Sequence, residues 1–266
     1  MRSIQPTADP RPDFGGERQL AAIDRRRLAL GLLAVAPLAT TGCAKLGDIG
    51  KSGLNNAGKP WSYAKTGRQE RFEIRAGDHW KGEHSERSEV AIYQFVKSNV
   101  DIWQAYSLLI EPGPTSRAPW CIFGQWHAYK DLWDQYVSPP MAQFLTGDTF
   151  NVWTASDPAL RQTIKNYPPP ITRYQRPNFQ RGLWHSFVQR TRFNAFGHGE
   201  LQTWIDGQQI LNLKQIPIGY NDVIGPYFKY GVYRPPGDPT PMAARYANME
   251  LGYASLADRI KHPLPV

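Results

Sequence analysis

Tyr227-Phe228-Lys229-Tyr230-Gly231-Val232-Tyr233-Arg234 reads as a β-strand whose two faces differ in kind. With a period of two, Tyr227, Lys229, Gly231 and Tyr233 share one face and Phe228, Tyr230 and Val232 the other. One face is chemical and the other aromatic and apolar. A lysine and two phenols at alternate positions suit the floor of a binding groove, and the intervening Gly231 leaves room for a ligand near the backbone. Two earlier stretches follow the same plan. In Gly124-Gln125-Trp126-His127, Gln125 and His127 share a face, and in Glu86-Arg87-Ser88-Glu89-Val90 so do Arg87 and Glu89. If the three faces form one surface, a guanidinium, a carboxamide, an imidazole, an ammonium and a phenol converge there.

The rest of the chain supplies short strands at regular spacing. Alternation or β-rich runs occur at 71–75, 89–96, 103–110, 120–129, 141–145, 149–154, 185–193, 199–205, 209–213 and 247–254. Turn signals separate them: Thr146-Gly147-Asp148, Pro235-Pro236-Gly237-Asp238 and Asp206-Gly207, the last a strong hairpin signal. A single short helix is expected, over 158–166. Many strands and almost no helix predict an all-β two-sheet sandwich of the jelly-roll kind, with one curved sheet offering a concave groove.

The first 42 residues read as an export signal and stay outside the fold. Arg25-Arg26-Arg27 precedes an apolar run from Leu28 to Ala39, too short to span a bilayer, in the manner of a twin-arginine signal. Thr40-Thr41-Gly42-Cys43 is similar to a lipoprotein cleavage box, the other reading being simple cleavage nearby. The mature protein is expected in the periplasm, anchored to the outer membrane or outside the cell. Residues 43–68, rich in Gly, Lys, Ser and Asn, read as a tether, leaving 69–266 as the domain.

The formal charge is +8; the first 42 residues hold six Arg against four acidic groups, so the remainder carries +6. A basic body suits a polyanion. Cys43 and Cys121 are the chain's two cysteines, so no disulfide framework is expected and Cys121 reads as a buried hydrophobe. The six histidines show neither CxxC nor HExxH spacing, so no metal site is expected.

The convergent set has a specific chemical use. Breaking a polyuronate by β-elimination requires removing the weakly acidic C5 proton beside a charged carboxylate. Donors must take up that charge and stabilise the enediolate-like intermediate, for which Arg87 and Gln125 are suited. A base for C5 and an acid for the departing O4 are also needed, and His127 and Tyr233 suit these roles. Arg87 and Lys229 are expected to lower the Tyr233 pKa from its ordinary value near about 10.

These residues carry a resemblance. Arg87-Ser88-Glu89-Val90, Gln125-Trp126-His127 and Tyr227 to Tyr233 resemble the signature strands of the jelly-roll alginate lyases, polysaccharide lyase family 7. Pro139-Pro140, Trp184-His185 and Trp204-Ile205-Asp206-Gly207 extend it to the heparin lyase I and glucuronan lyase group, over roughly residues 70–255. The resemblance implies a concanavalin A-like jelly roll. It also implies Arg87 and Gln125 as carboxylate neutralisers, His127 as base or carboxylate partner, and Tyr233 as acid, and as base too when proton and leaving group are syn. Lys229 binds substrate in this reading, with Tyr227, Glu89 and Arg234 beside it. Trp126 stands where alginate lyases carry Ile or Val, and Val90 where they carry Leu, which favours the glucuronan and heparin side.

Trp133, Tyr136, Tyr167 and Tyr174 are candidates for stacking on sugar rings, whereas Trp126 and Trp204 are expected in the core. Arg173, Arg176, Arg181, Arg190 and Arg192 form a basic run that either tracks a polyanion or is solvated. A glycoside hydrolase is disfavoured because no closely spaced carboxylate pattern is found. A non-catalytic binding module for acidic polysaccharides is the stronger rival, distinguished by tolerance of Phe at 233. The expectation is an exported, monomeric lyase with an acidic polysaccharide substrate and no nucleic-acid partner. A lipid anchor on Cys43 would be its one membrane contact; no organic or redox cofactor is expected, with a structural calcium ion left open.

Overall fold

The computed structural model describes residues 52–134, 138–163 and 168–266. Two sheets face each other. Across the first run β1 (Ser52–Asn56), β4 (Glu86–Ile92), β14 (Tyr227–Arg234), β6 (Cys121–His127), β7 (Met141–Thr146), β8 (Thr149–Thr154) and β10 (Ile171–Arg176). The second runs β2 (Tyr63–Thr66), β3 (Gln69–Ile74), β15 (Met242–Gly252), β5 (Asp101–Ile110), β11 (His185–Arg192), β12 (Asn194–Ile205), β13 (Gln208–Tyr220) and β9 (Ser156–Asp157). All named pairings are antiparallel except that of β9 with β13. The all-β sandwich read from the sequence is the fold observed.

The apolar faces meet between the sheets. Phe228, Tyr230 and Val232 from β14 enter the main core with Phe123 and Trp126 of β6, against Phe72, Tyr106, Phe187 and Tyr246 of the second sheet. Polar side chains in this layer are paired across it. The Tyr246 hydroxyl donates to the carbonyls of Phe123 at 2.5 Å and Gly231 at 2.9 Å, and the Tyr230 hydroxyl donates to Glu70 Oε2 at 2.5 Å. Unpaired, each would cost about 1–3 kcal/mol in the core. Such bonds also fix how one sheet sits on the other. Cys121 is buried in this core as expected, its thiol pushed up to about 12 by burial.

At Gly231 the backbone φ is +140°, and a Cβ there would lie 2.2 Å from the Ser88 carbonyl oxygen. The glycine therefore answers a close approach by neighbouring β4, not by a ligand. It sits in a register shift, where Tyr230 faces Gly124 but Tyr233 faces Ile122.

Several expectations change. The tether expected over 43–68 is, from Ser52, part of the sheets: β1 pairs with β4 and β2 with β3. A low apolar content hid these edge strands, each recognisable only beside its partner. The short helix expected over 158–166 is absent over 158–163, and 164–166 lie outside the described residues. A four-residue helix occurs instead at α1 (Asp258–Lys261). Trp126 fills the core, but Trp204 lies outside it, stacked on Trp103 at 6.2 Å. The export signal, Cys43, Tyr136 and Tyr167 lie outside the described residues.

Candidate active site

The three chemical strands are neighbours at the centre of the first sheet, in the order β4, β14, β6. Their register sets Arg87 opposite Tyr233, Lys229 opposite Gln125, and Tyr227 opposite His127. Since directly opposed residues project to the same side, Arg87, Glu89, Lys229, Tyr233, Gln125 and His127 share the face turned away from the second sheet. The convergence expected from period two is what pairing produces.

Glu89 is the hub beneath this face. Its carboxylate accepts a hydrogen bond from Gln125 Nε2 at 2.6 Å and lies 3.5 Å from Lys229 Nζ and 3.8 Å from Arg87 Nη1. Holding Gln125, Lys229 and Arg87 at once, Glu89 is placed as a positioning residue. A carboxylate would in any case repel an anionic sugar. Gln125 gives one amide N–H to Glu89 and keeps a second for another acceptor.

Arg87 lies over the Tyr233 ring at 4.4 Å. Its Nη2 is 2.6 Å from Glu83 Oε2 and 3.3 Å from Ser85 Oγ. Two cations, Arg87 and Lys229, thus face two carboxylates, Glu83 and Glu89. Tyr233 packs on Trp120 at 5.0 Å. Burial pushes its phenol above the ordinary tyrosine range; Arg87 and a hydrogen bond with Ser85 pull the other way, and Glu89 and Glu83 add to the rise. The expected lowering is therefore reversed. Counting the neighbouring cations omitted both desolvation and the carboxylates that accompany them. Tyr233 is protonated at neutral pH and suits an acid.

The His127 Nδ1 lies 2.8 Å from the Ala128 carbonyl, which can only accept, so Nδ1 carries a proton. In the neutral ring the lone pair then resides on Nε2. Tyr227 packs against His127 at 5.2 Å, Tyr93 at 5.3 Å and Phe95 at 5.5 Å. Buried among rings, Tyr227 braces the imidazole and does not reach out as a substrate contact. Arg234 leaves the site altogether. Adjacent to Tyr233 it points to the opposite side, donating to Glu86 Oε2 at 2.6 Å and to the carbonyls of Thr240 at 2.6 Å and Asp238 at 2.8 Å. It anchors loops.

Residues that sequence reasoning missed come from β1 and from the segment between β3 and β4. Asn55 faces Glu89 in the register, is buried, and its Nδ2 has no hydrogen-bond partner among the described residues. Glu83 and Ser85 gather on Arg87 and Tyr233. The Gly82-Glu83-His84-Ser85 run carries no pattern that singles them out before Arg87 is placed.

The basic run disperses. Arg190 and Arg192 pair with Asp101 and Glu200 on the second sheet, and Arg181 donates to the carbonyls of Glu111, Gly113 and Pro114. His185 is structural, with Nδ1 2.7 Å from Asp206 and Nε2 3.0 Å from the Gln180 carbonyl. Away from the central strands, Asp131, Asp134 and Asp222 bring carboxylate oxygens within 4.8 Å of one another. Burial, then Asp134 and Asp131, push Asp222 up to about 8.

The family model described as polysaccharide lyase matches residues 60–248. The endo-β-1,4-glucuronan lyase of the fungus Trichoderma reesei has a similar structure, at 13% identity and a TM-score of 0.60, covering 81% of this chain and 95% of that one. A family 7 alginate lyase, A1-II′, in a substituted form with bound substrate, is similar at 12% identity and a TM-score of 0.56, over 81% of this chain and 99% of that one. A product complex of the same lyase gives 10% identity and 0.54, over 73% and 84%. At these identities the likeness is one of fold. A sequence search of curated proteins finds no match.

Proposed function

We propose, from the premise that this chain belongs to the polysaccharide lyase family, that it cleaves a uronic-acid-containing polysaccharide by β-elimination, leaving unsaturated uronate ends. One observation carries this reading. Arg87 and Lys229, a protonated Tyr233 and an imidazole with its lone pair on Nε2 share one face of three adjacent strands.

Arg87, with the free amide N–H of Gln125, takes up the uronate carboxylate and makes the C5 proton removable. His127 Nε2 accepts that proton. The C5–H electron pair becomes the C4=C5 double bond, the C4–O4 bond breaks, and Tyr233 gives its phenolic proton to O4. Lys229 holds the sugar chain over the strands. The raised Tyr233 pKa favours this division of labour over one in which Tyr233 is also the base.

Glucuronan, a heparin-type glycan and alginate all offer the required carboxylate beside C5. Export, read from the first 42 residues, would bring the enzyme to such polymers. The test is ultraviolet absorbance of unsaturated uronate as the protein meets glucuronan, alginate, heparin and heparan sulfate in turn. A rise on one of them identifies the substrate class. Binding without a rise on any would contradict elimination.

A further inference from the structure

The segment joining β3 to β4 is pinned at both ends, and across its turn the rings of His79 and His84 stack at 6.3 Å. Asp78 receives hydrogen bonds from the Arg75 N–H at 2.9 Å and Trp61 Nε1 at 2.8 Å, and its carbonyl accepts the Arg87 N–H at 3.1 Å. The Gly77 N–H donates to Glu86 Oε1 at 2.8 Å, the carboxylate that Arg234 also holds. Between these anchors, Trp80 to Glu83 forms a tight turn closed by the Glu83 N–H to the Trp80 carbonyl at 2.9 Å. Lys81 and Gly82 have φ of 48° and 76°. A lysine in the left-handed region is unfavourable, so something must hold the turn. Lys81 and Gly82 are exposed, whereas Glu83 turns inward, its side chain 5% exposed and its Oε2 2.6 Å from Arg87.

We propose that Glu83 is a latch that selects for carboxylated substrates. In the empty site its carboxylate occupies the place on Arg87 that a uronate carboxylate takes, and the substrate enters by exchanging one carboxylate for the other and releasing the 80–84 turn. The proposal rests on the functional reading above and deepens it.

The physical logic is one of charge. Arg87, buried beneath this turn, would be costly without a counter-ion. Glu83 supplies one while no substrate is bound. Exchange keeps the charge on Arg87 unchanged and replaces one bond between guanidinium and carboxylate with another. A neutral sugar has nothing to offer in exchange, so the turn stays shut against it. Glu83 thus discriminates by what it must give way to.

The experiment reads binding rather than turnover, in a Tyr233→Phe background, by calorimetric titration with a glucuronan oligosaccharide and with its carboxyl-reduced, neutral counterpart. Removing the competing carboxylate with Glu83→Gln should tighten the charged oligosaccharide about 3- to 10-fold, as expected when a mostly closed state becomes open. The neutral one, shut out by the closed turn, should gain at least as much, so that the preference for the charged form narrows, and a neutral ligand that gains nothing overturns the latch. Equal or weaker binding of the charged oligosaccharide by the folded variant overturns the latch while leaving the lyase reading intact. No binding of glucuronan, alginate or heparin oligosaccharides by either protein overturns both. A second measurement leaves Glu83 in place. Saturating charged oligosaccharide should speed hydrogen exchange at the Glu83 amide as the turn opens, and slowing would overturn the proposal.

Discussion

Tyr233 shows how a single side chain can be placed on the right strand face while its protonation is misjudged. Its position on the strand, two residues from Gly231 and four from Lys229, was legible in the sequence. Its protonation was not, because desolvation and the Glu83 and Glu89 carboxylates belong to the folded surroundings. The consequence is testable. A general acid works below its pKa and fails above it, so a raised pKa moves the alkaline loss of kcat/KM beyond the ordinary tyrosine range near about 10. A pH profile with an alkaline limb centred below about 9 would contradict the assignment. Glu89 makes the complementary point, since it was visible as a strand residue but read as touching substrate. Its carboxylate instead holds Gln125, Lys229 and Arg87. Replacing it with Ala leaves those groups without their shared partner, and a loss of about 3–5 kcal/mol in chemical denaturation is expected.

At the scale of elements, the centre of the sheet was readable because β14 and the end of β6 alternate between apolar and chemical residues and Arg87 and Glu89 of β4 stand two apart. Their order in the sheet follows from pairing, which no single stretch specifies. Gly231 illustrates the limit. Sequence reading assigned its missing side chain to a ligand, whereas the Ser88 carbonyl lies where a Cβ would go. Gly231→Ala must displace β4 or lose the register shift, and it carries a φ of +140° that alanine adopts poorly. A loss of more than about 2 kcal/mol is expected, with weakened catalysis because Arg87 and Tyr233 are aligned by that same pairing. Unchanged thermal unfolding would show that the two strands are less tightly joined than described. The Asp206-Gly207 turn, by contrast, was read in place, though its strands run beyond the expected 199–205 and 209–213. Both residues have positive φ, 52° and 78°, and β12 and β13 flank them.

For the molecule as a whole, the sandwich was predictable from many short strands, but its edges were not. Residues 52–56 and 63–66 are polar and lack periodicity, so they read as a tether, yet they complete one edge of each sheet. Without β1, β4 would itself be an edge and would lose the strand that sets Asn55 beside Glu89. A chain beginning at residue 69 should therefore unfold at a lower temperature and aggregate more readily than one beginning at residue 52. Equal unfolding temperatures would make the two strands dispensable. The central claim, elimination by these strands, is tested most directly by the products. Mass spectrometry of oligosaccharides released from the polymer that supports activity should find new non-reducing ends lighter by one water than saturated uronate, and none in Tyr233→Phe, which still binds. Saturated ends, or unsaturated ends formed equally well by Tyr233→Phe, would contradict it.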